Sequence, residues 1–132
     1  MIQRFGIDTP IFLRLLTGDP PRSFDHCVRA LTRLVERDQA EVVVSNQVIG
    51  ETYIVLQHHY GVAKRDARTA IATVLRSGLV APLNGAGVFA ALAAEGGCGL
   101  IDRLIADDYR RLEIETLTLD GRMARLPSVR KL

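Results

Sequence analysis

Apolar and polar positions alternate along this chain in two distinct rhythms. Ile2 to Ile7 alternate loosely and read as a short strand. Thr9 and Pro10 then mark a helix start, with Thr9 as cap and Pro10 as first helical residue, and Ile11, Phe12, Leu15 and Leu16 follow at helical spacing. Gly18-Asp19-Pro20-Pro21 stops that helix. From Ser23 to Asp38, Cys27, Val28, Leu31, Leu34 and Val35 recur at steps of three and four and predict an amphipathic helix. "EVVVS", 41–45, is a compact β-branched run of the kind a buried strand carries. Helices are predicted from Asn46 to Tyr60, stopped by Gly61, and from Lys64 to Arg76, stopped by Gly78.

The second half repeats the alternation on a smaller scale. "LVAPL", 79–83, is strand-like, "GVFAALAAE", 87–95, is helical up to Gly96-Gly97, and "LIDRLIADDYRRL", 100–112, is strongly helical. "IETLTLD", 114–120, alternates and reads as a strand ending on Asp120. "RMARL" reads as a helical turn and "SVRKL" as a last edge piece. Strands alternating with helices, without repeats or a linker, predict an α/β layer fold with a mostly parallel sheet. A chain of 132 residues suits one domain with a real core.

Composition narrows the class. With 48% hydrophobic and 24% charged residues the chain is globular rather than disordered. The uncharged stretch 77–94 is broken by Pro82, Asn84, Gly85 and Gly87, which argues against a spanning helix. Arg4 and Asp8 interrupt any apolar start, so no signal peptide is expected. Cys27 and Cys98 stand in no metal spacing, and two lone thiols suit a reducing cytoplasm. The net charge is only +2, yet every cation except Lys64 and Lys131 is Arg. That bias suits a polyanionic partner and is equally the mark of Arg-favouring codon usage.

Asp8 is the first residue that the pattern leaves unexplained, because Asp is a poor strand residue and costly to bury. It ends the first strand just before a helix. Asp120 ends a late strand in the same way. In a parallel sheet the carboxyl ends of the strands share one edge, so Asp8 and Asp120 stand side by side if their strands are neighbours. Glu51 interrupts the apolar stripe of the helix after "EVVVS", near its start, and Asp102 lies in the first turn of the helix at 100–112. Each has an ordinary reading: helix cap, exposed helix position, first-turn residue, turn residue. Together, four carboxylates at one edge repel one another unless a cation is present, and oxygen-only ligands favour Mg²⁺ or Mn²⁺. Such ions activate water and stabilise the departing oxygen of a phosphodiester.

"FGIDTPIFLRLLTGDP" at 5–20, "VVVSNQVIGETYIVLQHHYG" at 42–61, "GLIDRLIA" at 99–106 and "TLTLDGRMARLPSV" at 116–129 resemble, in order and spacing, a PIN-domain ribonuclease of the VapC toxin type. The resemblance implies one three-layer PIN-like domain over 1–132, with a mostly parallel central sheet flanked by helices. It implies a Mg²⁺- or Mn²⁺-dependent endoribonuclease whose acidic quartet falls on Asp8, Glu51, Asp102 and Asp120. It also implies a cytoplasmic toxin that forms a homodimer and is held by a cognate antitoxin. The chain departs from the family pattern at Pro10, where relatives carry Asn, and at Gly99, where many carry an acid. These departures favour a second reading, a PIN-like module that binds RNA or protein without cutting it.

For RNA contact the candidates are Thr9, Arg14, Arg103 and Arg122, with Lys64, Arg65 and Arg68 as further cations. "GAGVFA", 85–90, nearly matches a dinucleotide fingerprint, but no convincing βαβ unit or ribose acid surrounds it. Gly85 and Gly87 therefore read as loop and helix-start residues. His58 and His59 are adjacent on a helix and cannot face one site, so they read as solvated.

Overall fold

The computed structural model describes residues 1–132, which divide into two compact units, 1–83 and 84–132. The first runs β1 (Arg4–Gly6), α1 (Thr9–Thr17), α2 (Pro21–Thr32), a π-helical turn at Arg33–Arg37, β2 (Glu41–Val44), α3 (Asn46–His58), α4 (Lys64–Leu75) and β3 (Ala81–Pro82). Its sheet is parallel in the order β1-β2-β3, with Phe5 opposite Val42 and Val43 opposite Ala81. Val42, Val43 and Val44 are all buried, which explains a continuous β-branched run in place of alternation. Phe12 from α1, Ile49 from α3 and Ile71 from α4 are fully buried in this unit's core.

The second unit runs α5 (Gly87–Ala93), α6 (Leu100–Arg111), β4 (Thr116–Thr118), a 3₁₀ turn at Met123–Arg125 and β5 (Val129–Lys131). β4 and β5 pair in parallel, with Thr116 opposite Val129 and Thr118 opposite Lys131. Cys98, Ala106 and Met123 form a small buried cluster against which Leu126 and Val129 pack. Both cysteines are free thiols. No helix is long and apolar enough to cross a membrane.

The predicted elements exist, with several corrections. Asp8, not Thr9, caps α1: its backbone is extended and its Oδ1 accepts from the Ile11 N–H at 3.2 Å. Thr9 and Pro10 are the first two helical residues. The helix predicted from Ser23 to Asp38 starts at Pro21 and changes at Arg33 to a π turn, closed by Asp38 N–H to Arg33 C=O at 3.1 Å. The strand at 79–83 shrinks to Ala81–Pro82, after which the Leu83 N–H donates to Val44 C=O at 2.9 Å. The hydrogen-bonded neighbour of β1 is β2 and that of β4 is β5, so the direct β1–β4 pairing considered from the sequence is not among the ladders. Gly18 ends α1 in the left-handed region at φ 67°, donating its N–H to Arg14 C=O. Gly85 is also left-handed and Gly87 opens α5, the loop and helix-start roles expected of them.

Candidate active site

The parallel sheet of the first unit sets two helix starts at one edge. β1 leads through buried Ile7, whose N–H donates to Val43 C=O at 3.1 Å, into Asp8 and α1. β2 leads through Ser45 into α3, and the Ser45 hydroxyl accepts from the Val48 N–H at 3.2 Å. Because both strands point the same way, both helices begin beyond their carboxyl ends. Thr9, in the first turn of α1, therefore reaches across to α3, and its Oγ1 donates to Glu51 Oε2 at 2.6 Å. Gln47 sits one turn before Glu51 on the same face and donates from Nε2 to Oε1 at 3.3 Å. Each oxygen of Glu51 is thus held by one neutral donor. Asp8 and Glu51 are exposed, and neither is ion-paired.

In the second unit, Asp102 occupies the first turn of α6, after Gly99, which caps the helix with no side chain of its own. An anion there gains about 0.3–1 kcal/mol from the helix terminus at the surface. Asp120 follows β4 and organises the next turn. Its Oδ1 accepts from Arg122 N–H at 2.7 Å and Met123 N–H at 3.1 Å, while its own N–H donates to Thr118 Oγ1 at 3.0 Å. The bonds from the Met123 and Arg122 N–H groups, helped by the charges of Arg122 and Lys131, hold the Asp120 carboxyl below its ordinary value. Neither Asp102 nor Asp120 is ion-paired. In neither unit do three metal-ligating side chains converge.

The cations singled out from the sequence are engaged in different ways. Arg14 Nε donates to Ser23 Oγ at 3.1 Å and fastens α1 to the first turn of α2. Arg103 braces the glycine-rich loop, donating to Cys98 C=O at 3.1 Å and Gly96 C=O at 3.0 Å. Arg122 is exposed. His58 and His59 are exposed, as expected. Gln47 is legible in the sequence only by its place four residues before Glu51. Asp107 carries no local signal in the sequence that sets it apart from Asp108 beside it. It is buried, and it takes Asn84 Nδ2 at 3.3 Å and Arg110 at 3.4 Å, which pins the start of this unit to α6.

The sequence model of the PIN-domain family matches residues 6–129, so the chain belongs to the PIN-domain family and has its nuclease-type α/β fold. No curated protein and no solved structure matches it.

Proposed function

We propose that this chain is a Mg²⁺- or Mn²⁺-dependent endoribonuclease, the toxin of a type II toxin–antitoxin pair. The observation that carries the reading is the β1–α1 junction of a PIN-domain chain, where Asp8 ends a strand and its neighbour Thr9 holds Glu51. The donor set fits a hard divalent cation, since all four acids offer oxygen only and none is ion-paired with Lys or Arg. Asp8, Asp102 and Asp120 would be ligands, and Glu51 a ligand or the group that orients water. When bound, the cation supplies charge for the phosphate and a lowered pKa for water. Thr9 and Gln47 use one acceptor site on each oxygen of Glu51, leaving the others to accept a proton from water in a fixed direction. The partners in this reading are the RNA substrate, a cognate antitoxin and a second copy of the chain, in the cytoplasm, with residues 1–132 acting as one PIN-like domain. Thr9, Arg14, Arg103 and Arg122 remain the RNA-contact candidates of this centre.

A metal titration tests the reading. Mg²⁺ or Mn²⁺ at 100 times its Kd raises stability by about 2.7 kcal/mol, seen as a rise in Tm, and cleavage of RNA appears over the same concentrations. No rise in Tm and no cleavage would overturn it. RNA binding without either would support the second reading, a non-cutting module. That reading is favoured by Pro10 at the second position of α1 and by Gly99 before α6, neither of which offers a side-chain donor.

The Thr9–Glu51 contact gives a finer test. Thr9→Val keeps the shape and removes the donor, and lowers cleavage by about 10–100-fold, the usual cost of losing a group that orients a metal-site residue. Thr9→Ser restores most of the rate. Equal rates for the parent and the Val variant would show that the hydroxyl does not position Glu51.

A further inference from the structure

The second helix carries a row of cations that the site above does not use. Arg22, His26, Arg29 and Arg33 follow one another at steps of four, three and four, and Arg37 comes four residues later. Those steps keep the first four on one face of a helix. The π turn extends the row. A turn closed over five residues advances less per residue than an α turn, so the step from Arg33 to Arg37 ends short of a full turn. This opposes the sideways drift that a continued α-helix would add. All five side chains are exposed, whereas Leu31 is buried and Phe24, Val28 and Val35 are partly so. No carboxylate pairs with any of the four guanidinium groups, including Asp25 and Glu36, which flank the row. Over 21–38 the arginines outnumber Asp25, Glu36 and Asp38 by only one, so the positive charge is carried by the line of the row itself and not by the segment as a whole.

We propose that Arg22, His26, Arg29, Arg33 and Arg37 form a track for the sugar–phosphate backbone of RNA, which delivers the strand to the nuclease centre; the identity of the polyanion rests on the ribonuclease reading. The track is about 20 Å long, the rise of about six nucleotides at about 3.4 Å each. Guanidinium forks suit phosphate oxygens, and contacts to phosphate are indifferent to sequence. The track also has a fixed relation to α1. The bond from Arg14 Nε to Ser23 Oγ ties it, one residue from Arg22, to the helix that Asp8 caps. Six residues, about 9 Å of helical rise, separate Asp8 from Arg14.

The test is binding of a labelled 20-nucleotide oligouridylate and a labelled RNA stem–loop to the full chain in EDTA, where a metal-dependent nuclease does not cut. Replacing the four arginines with Gln lowers affinity at least tenfold at low salt. It also reduces the slope of log affinity against log salt by about 3, the loss of four phosphate contacts on a single strand. The fourfold Arg→Lys variant keeps most of that slope. Circular dichroism melts confirm that the variants fold, and single Arg→Gln variants give stepwise losses if the fourfold one does not. Unchanged affinity and slope in the Gln variants would overturn the track. So would competition by polyglutamate equal to that of RNA, which would assign the face to an acidic protein partner. Cleavage in Mn²⁺ is measured separately. A parent that binds through the row and does not cut RNA overturns the nuclease reading alone, and a parent that cuts while its Gln variant binds unchanged overturns the track alone.

Discussion

Asp8→Asn leaves the fold intact and lowers RNA cleavage by more than about 100-fold, beyond the 10–100-fold cost of changing a group that merely supports a metal ligand. The structure makes this a clean experiment. Asp8 has two separable duties: its Oδ1 caps α1 through the Ile11 N–H, and its charge is available to a cation. Asn and Asp are equivalent caps, so the Asn variant retains the first duty and loses the second. Asp8→Ala loses both and is also less stable by about 0.5–2 kcal/mol. Chemical denaturation and cleavage rates, measured on the same preparations, separate the two effects. If Asp8→Asn cuts RNA as fast as the parent, Asp8 is a helix cap and nothing more.

That pairing of roles shows what was legible in the chain. An apolar run broken by Asp-Thr-Pro announces a strand followed by a helix, and the structure has that junction. Which of Asp8 and Thr9 caps was not legible, since both residue types cap well and Pro is tolerated at either of the first two helical positions. The Thr9 hydroxyl is engaged instead by Glu51, 42 residues away, and no local pattern encodes such a contact. Local spacing also hides the change from α to π at Arg33, because the apolar stripe continues through Leu34 and Val35 on either geometry. Strand existence was readable from β-branched runs; strand pairing was not, as the β4–β5 ladder shows, because pairing is decided by packing between distant segments. Gln47 became readable only once Glu51 had been chosen, by counting back one helical turn.

The same dissection applied to Asp120 bears on the other unit. Asp120 Oδ1 alone receives the Arg122 and Met123 N–H groups, and that turn feeds Met123 into the cluster with Cys98 and Ala106. Asp120→Asn keeps a carbonyl oxygen for both donors, so the turn survives while the charge is lost. Cleavage then falls by more than about 100-fold if Asp120 is a metal ligand. Asp120→Ala removes the acceptor as well, and loosens the turn and the seating of Met123. Acid titration in metal-free buffer provides a control that does not depend on activity. The folded carboxyl lies below its ordinary value, so its contribution to stability is complete above the ordinary aspartate range and is lost as pH falls through the lowered folded value. The Asn variant has no such group, and its melting temperature falls less than the parent's over that acid range. An Asn variant that keeps the parent's cleavage rate while losing the acid-side dependence would make Asp120 a turn residue only, and the metal centre would then rest on Asp8, Glu51 and Asp102.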